Sequence, residues 1–253
     1  GRLNTPALDV ATERVVAESP RRVGFIIPSS NRRFEPEAAA FLPGGIVPHV
    51  ARARMTGAVK AEPDVVKQRI LDAARCLADA RCRLVFLHCT AHSTELGPEG
   101  EREMLGAIRV ATGTEAAATG MAIRAAVDAL RARKLALVTP YDEQTTREEV
   151  RYLEACDFGV VGFRAYDLAG SDAFCSTPPE FWREAMTANR EQFANADAIL
   201  LSCANIRCLE ALDSIQAAAG RPVVTSNQAA LWFAVRWVGS QCALPQFGSL
   251  SHR

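Results

Sequence analysis

The sequence predicts an α/β protein built from repeated strand and helix units, and three observations carry that reading. Seven short apolar runs, rich in β-branched residues, punctuate the chain. The segments between them repeat apolar residues at three- and four-residue intervals, the period of a helix with one buried face. The runs themselves are continuous rather than alternating, as in strands of a mainly parallel sheet covered on both faces.

Taken in order, the strands are expected at residues 23–27, 47–53, 84–87, 135–139, 160–163, 199–201 and 223–225. The first reads Val-Gly-Phe-Ile-Ile and the third Leu-Val-Phe-Leu, too apolar to leave a face in water. Helices are expected at 64–80, 115–133, 144–155 and 205–219, where the apolar spacing changes to the helical period. The stretch to Pro20 is polar and irregular and is expected to be a tail. No Pro/Gly/Ser-rich linker divides the chain, so any domain division is internal.

Composition narrows the function classes. The 253 residues carry 29 basic and 29 acidic side chains, which argues against a nucleic-acid or membrane-surface partner. Lys60, Lys67 and Lys134 are the only lysines and none follows a glycine, which excludes a P-loop. No apolar run approaches the roughly 18 residues of a membrane span. Eight cysteines stand at 76, 82, 89, 156, 175, 203, 208 and 242 without any C-x-x-C pair. With no secretory signature at the start, reduced thiols and a cytoplasmic location are expected. An alanine-rich, lysine-poor helical surface is compatible with a homo-oligomer.

Parallel sheets bind ligands at the carboxyl ends of their strands, where helix N-termini offer free N–H groups. The first strand is followed by Pro28-Ser29-Ser30-Asn31, the third by His88-Cys89-Thr90-Ala91-His92, and the run at 135–139 by Pro140-Tyr141-Asp142. The last two strands lead into Ser202-Cys203-Ala204-Asn205 and Ser226-Asn227-Gln228. Hydroxyls, amides and thiols predominate, a set suited to a small anion held by neutral donors. Cys89 and Cys203 occupy the same slot, each after a buried strand and before an expected helix start, 114 residues apart. A helix N-terminus lowers a thiol's pKa, so both are candidate nucleophiles or bases. The other cysteines are expected to pack as small hydrophobes, Cys208 among them. Asn31 and Ser226 could equally cap helices. His88 and His92 beside Cys89 do not complete a tetrahedral set with His49 and His252, so no metal is expected, and His92 is placed on the first helical turn, lining the cleft or setting the charge near Cys89.

The Pro28-Ser29-Ser30-Asn31 turn, Phe34-Glu35-Pro36-Glu37, Thr139-Pro140-Tyr141 and the cysteine pair resemble the maleate cis-trans isomerase and arylmalonate decarboxylase branch of the aspartate/glutamate racemase superfamily. The resemblance runs from about Val23 to Gly239, and residues 222–229 also resemble the ectoine-utilisation proteins of that superfamily. It implies a cofactor-independent enzyme of two pseudo-symmetric Rossmann-like halves, with one cysteine from each facing a substrate in the cleft. The expected division is 21–112 plus 222–253 for the first half and 113–221 for the second. Arylmalonate decarboxylases have glycine at the position of Cys89, so this chain is closer to the two-cysteine enzymes. Thr90-Ala91-His92 is more similar to aspartate-racemase-like sequences, and no asparagine stands near Ser171 and Asp172, where maleate isomerases bind substrate.

By that analogy the expected activity is isomerisation of a small dicarboxylate, maleate to fumarate, without a cofactor. Cys89 adds to the alkene and Cys203 exchanges a proton at the neighbouring carbon. Ser30, Asn31, Thr90 and Tyr141, with the backbone N–H groups of Ala91, Ala204 and Asn205, are the expected substrate-binding set. The alternatives are a two-thiol racemase of amino acids or hydantoins, an arylmalonate-type decarboxylase needing only Cys203, and a binding protein with no use for either thiol.

Overall fold

The computed structural model describes residues 21–253, so the expected tail lies outside the described residues. Among the described residues the chain forms eight strands in two parallel four-stranded sheets. The first holds β1 (Arg21–Pro28), β2 (Ile46–Ala53), β3 (Leu84–Leu87) and β4 (Glu115–Ala118) in the order β2-β1-β3-β4. The second holds β5 (Lys134–Thr139), β6 (Gly159–Ala165), β7 (Ala198–Leu201) and β8 (Val223–Thr225) in the order β6-β5-β7-β8. The two orders are equivalent strand for strand, so the halves are pseudo-symmetric, and the candidate cysteines follow the third strand of each sheet.

Burial differs among the strands and is not set by edge position alone, since the edge strands β4 and β8 are almost wholly buried. Every residue of the interior strands β3 and β7 is buried, whereas the edge strands β2 and β6 are mostly half-buried. Nine helices flank the sheets among the described residues: α1 (Phe34–Phe41), α2 (Pro63–Asp79), α3 (Thr90–Thr112), α4 (Thr119–Ala129), α5 (Glu143–Glu154), α6 (Gly170–Ser176), α7 (Pro179–Ala188), α8 (Leu212–Ala219) and α9 (Ser226–Trp237). Val66, Ile70, Ala74 and Leu77 repeat at four- and three-residue spacing and form the buried stripe of α2. α3 bends where Gly97 takes φ 69°, a conformation open to glycine, just ahead of Pro98. The main core runs through both sheets, and a second lies between the other face of the first sheet and α2 and α3. No helix among the described residues is long and apolar enough to cross a membrane.

Three local expectations are corrected. Residues 115–118, expected to open a helix, form β4, because the alanines at 116–118 pair in parallel register with Val85–Leu87 and only Thr119 begins the helix. Residues 205–211, also expected to be helical, form turns and a short 3-10 segment, and α8 starts at Leu212. The pairing places β4 beside β3 and β8 beside β7, on the opposite sides from a division drawn at 113 and 222. α9 then crosses back to pack on α4 and α1 of the first sheet.

Candidate active site

The loops after β1, β3, β5 and β7 converge on one cavity of about 350 Å³ between the sheets. All nine expected residues line it: Ser30 and Asn31, Cys89, Thr90 and Ala91, Tyr141, and Cys203, Ala204 and Asn205. Sequence reasoning did not assign Thr56, Gly57, Leu168 and Phe174 to the site; they complete the wall, with Ser171, from the short segments around 56–57 and 168 and from the seven-residue α6. Such segments have no periodicity to read, although Phe174 sits edge-on to Tyr141 with ring centroids 5.8 Å apart. Among the described residues no lysine, arginine or histidine lines the cavity, and Asp142 and Asp167 stand exposed at its mouth.

Hydrogen bonds across the cleft set the geometry. Asn31 Nδ2 donates to the Ala204 carbonyl at 2.9 Å, and the Arg32 N–H donates to Asn205 Oδ1 at 2.9 Å. Asn31 Oδ1 also accepts from the N–H groups of Arg33, the N-cap residue of α1, and Phe34, so Asn31 satisfies the first donors of the helix from two residues before its cap while latching the two halves. One amide hydrogen of Asn31 is left to face a ligand. Ser226 Oγ accepts from the Thr90 hydroxyl and from the Cys203 N–H. The cap of α9 is instead Thr225, in a capping box with Gln228. Thr90 Oγ1 is therefore committed within the protein. The donors left for substrate are the second Asn31 amide hydrogen and backbone N–H groups at the start of α3 and after β7.

The two thiols differ in their backbone settings. Cys89 is the N-cap of α3, with the Ala91 and His92 N–H groups directed at its sulfur. Cys203, contrary to expectation, does not precede a helix. It adopts φ 142°, a strained conformation for a side-chain-bearing residue, held by its N–H bond to Ser226 and by the Asn205 N–H, which donates to its sulfur at 3.4 Å. The Tyr141 hydroxyl bonds to the same sulfur. The expected lowering of both pKa values is also corrected. Burial pushes Cys89 up to about 11 and Cys203 up to about 12, because lost hydration of a thiolate outweighs the donors around it. Both are protonated at neutral pH, and burial raises Tyr141 as well.

A buried acid lies behind each thiol's strand. Ser202 Oγ donates to Glu149 Oε1 at 2.6 Å, and burial raises Glu149 to about 7. Behind Cys89, Asn227 Nδ2 donates to Glu37 Oε2 at 2.6 Å, leaving Asn227 Oδ1 to accept from His88 Nε2 at 2.7 Å. Burial raises Glu37 to about 7 and lowers His88 to about 4, so His88 is a neutral core residue with Thr119 on its other nitrogen. His92 does not line this cavity but faces another behind it. Among the remaining cysteines Cys82 and Cys208 are buried, Cys156, Cys175 and Cys242 are partly buried, and Cys76 is exposed rather than packed.

Known proteins share this fold. The sequence model for arylmalonate decarboxylase matches residues 23–251. The arylmalonate decarboxylase of Bordetella bronchiseptica is 27% identical over 230 residues, covering 90% of this chain and 95% of that protein. The maleate isomerase of Nocardia farcinica (strain IFM 10152) is 29% identical over 244 residues, covering 91% and 95%. The crystal structure of the maleate isomerase Iso from Pseudomonas putida S16 superposes with a TM-score of 0.84 at 25% identity, covering 91% of this chain and 98% of that one. The chain belongs to the arylmalonate decarboxylase family, in the branch of the aspartate/glutamate racemase superfamily that also holds the maleate isomerases.

Proposed function

We propose that the protein is a cofactor-independent cis-trans isomerase of a small unsaturated dicarboxylate, converting maleate to fumarate. The observation that carries this reading is the presence of a thiol from each half in one cavity. An arylmalonate decarboxylase structure 25% identical to this chain holds a glycine-to-cysteine and a cysteine-to-serine exchange. The two exchanged positions are as far apart as Cys89 and Cys203. A thiol at Cys89 is thus what this chain adds to the decarboxylase arrangement. The maleate isomerase of Nocardia farcinica, in a cysteine-to-serine variant, carries a covalently bound succinylcysteine intermediate.

Cys89 releases its proton to solvent and adds as thiolate to one alkene carbon, forming a C–S bond as the π pair moves toward the neighbouring carboxylate. The second Asn31 amide hydrogen and the free N–H groups receive the developing enediolate charge, while Tyr141 stays on the Cys203 sulfur. Cys203, still protonated, delivers its proton to the neighbouring carbon and leaves a succinyl thioether whose central bond is single and free to rotate. Return of that proton to Cys203 and cleavage of the C–S bond release fumarate and the Cys89 thiolate. Neutral donors suit this chemistry, since a fixed cation would bind the ground-state carboxylate as strongly as the enediolate. A cytoplasmic setting, suggested by eight free thiols, belongs to the same proposal.

Proton NMR of protein incubated with maleate tests the reading. Fumarate formation is expected with the native chain and its loss with either Cys89→Ala or Cys203→Ala. Unchanged maleate in all three would overturn it. A second reading, decarboxylation of an arylmalonate, is favoured by Pro28, Leu168 and Phe174 in the cavity wall, and predicts product from arylmalonate that survives Cys89→Gly.

A further inference from the structure

The first turn of α3 and the segment 56–60 each wall two cavities. Cys89, Thr90 and Ala91, with Thr56 and Gly57, face the thiol cavity. His92, Glu95 and Leu96, with Lys60, face a second cavity of about 360 Å³. Val66, Leu96 and Met104 give this second space an apolar wall, and two of the chain's three lysines border it. His92 is only 5% exposed, yet neither ring nitrogen has a hydrogen-bond partner among the described residues. A buried imidazole in that state wants completion. Lys60 pairs with Glu95, whose Oε2 stops 3.8 Å from His92 Nδ1.

We propose that this second cavity binds a small monocarboxylate with a short apolar chain, and that its occupancy activates Cys89. The ligand carboxylate draws Lys60 from Glu95, and its chain lies on Val66, Leu96 and Met104. Glu95, released, closes on His92, which takes a proton from solvent and becomes imidazolium, so anion binding and proton uptake are coupled. The charged groups around His92 are Glu95 and Glu103 on α3, Lys60 on the segment after β2, and Asp64 and Lys67 on α2. Asp64 and Glu103 disfavour a second carboxylate, which separates this ligand from a dicarboxylate substrate. The imidazolium then stands on the first turn of α3, whose N–H groups already face the Cys89 sulfur, and favours its thiolate.

Butyrate, which has no alkene to react, is the probe. In the native chain at pH 7 it is expected to speed iodoacetamide alkylation of Cys89 about tenfold, the effect of one pKa unit, read by peptide mass spectrometry. It should also move the His92 NMR resonance to the imidazolium position. The faster alkylation should vanish in His92→Gln, and both responses should vanish in Lys60→Gln, a partly exposed position where folding is not at stake. Slower alkylation of Cys89 and Cys203 together would place butyrate in the thiol cavity and overturn the proposal, as would an unmoved His92 resonance. The consequence for Cys89 rests on its proposed nucleophilic role. Neither readout requires maleate turnover, so failure here and failure of the isomerase reading are distinguishable.

Discussion

The Cys203 N–H donates to Ser226 Oγ at 3.1 Å, and the same oxygen accepts the Thr90 hydroxyl at 2.8 Å. One side chain at the start of α9 thus ties the strained backbone of one thiol to the residue following the other. Ser226→Ala leaves a buried N–H and a buried hydroxyl without that acceptor. The expected cost is about 1–3 kcal/mol of stability in denaturant titration, with turnover falling at least about tenfold as Cys203 loses its hold. Unchanged turnover would mean that φ 142° is maintained without Ser226.

Activity should rise with pH through the neutral range. Cys89, pushed up to about 11 by burial, is almost entirely thiol at pH 7. Each unit of pH therefore gives about tenfold more thiolate. kcat/KM for maleate is expected to climb with unit slope between about pH 7 and 9. A plateau at neutral pH would show that the thiolate is already formed in the free enzyme.

Glu149 makes stability depend on pH in the opposite sense from a salt-bridged carboxylate. Its folded pKa, about 7, lies above the ordinary 4.5, so its contribution is fully present below pH 4.5 and is lost as pH rises through 7. Glu149→Gln keeps an acceptor for Ser202 and removes this loss. Relative to the native chain the variant should gain stability from pH 4.5 to 7, by at most about 3 kcal/mol at pH 8. A difference that does not vary with pH would contradict the assignment.

Gly120 tests the packing beneath the first thiol's helix. A Cβ there would meet the Tyr152 hydroxyl and the Glu101 carboxylate, which are bonded to each other at 2.9 Å. Gly120→Ala is expected to lower stability by roughly 3 kcal/mol despite the better helix propensity of alanine. A stabilised variant would show that Tyr152 and Glu101 move aside freely.

The parts legible in the sequence were those fixed by local pattern. All seven expected strands form, because each is an apolar run that pairs in a parallel sheet, and the residues after β1, β3, β5 and β7 line the cavity. β4 was hidden because Glu115-Ala-Ala-Ala has good helix propensity and becomes a strand only by pairing with β3. The turn after Cys203 was hidden because the apolar spacing of α8 extends back into it. The raised thiol pKa values could not be read from the chain, since Cys89 does cap a helix, but the depth of its burial is a property of the closed cleft. Leu168, after β6, and Phe174, on the short α6, enter the wall along a path that only tertiary structure determines.

The central claim, that Cys89 bonds to the substrate and Cys203 moves the proton, is tested most directly by intact-protein and peptide mass spectrometry of Cys203→Ser after incubation with maleate. A succinyl adduct on the Cys89 peptide, with little fumarate released, is the predicted result. An unmodified Cys89 peptide accompanied by fumarate formation would contradict it.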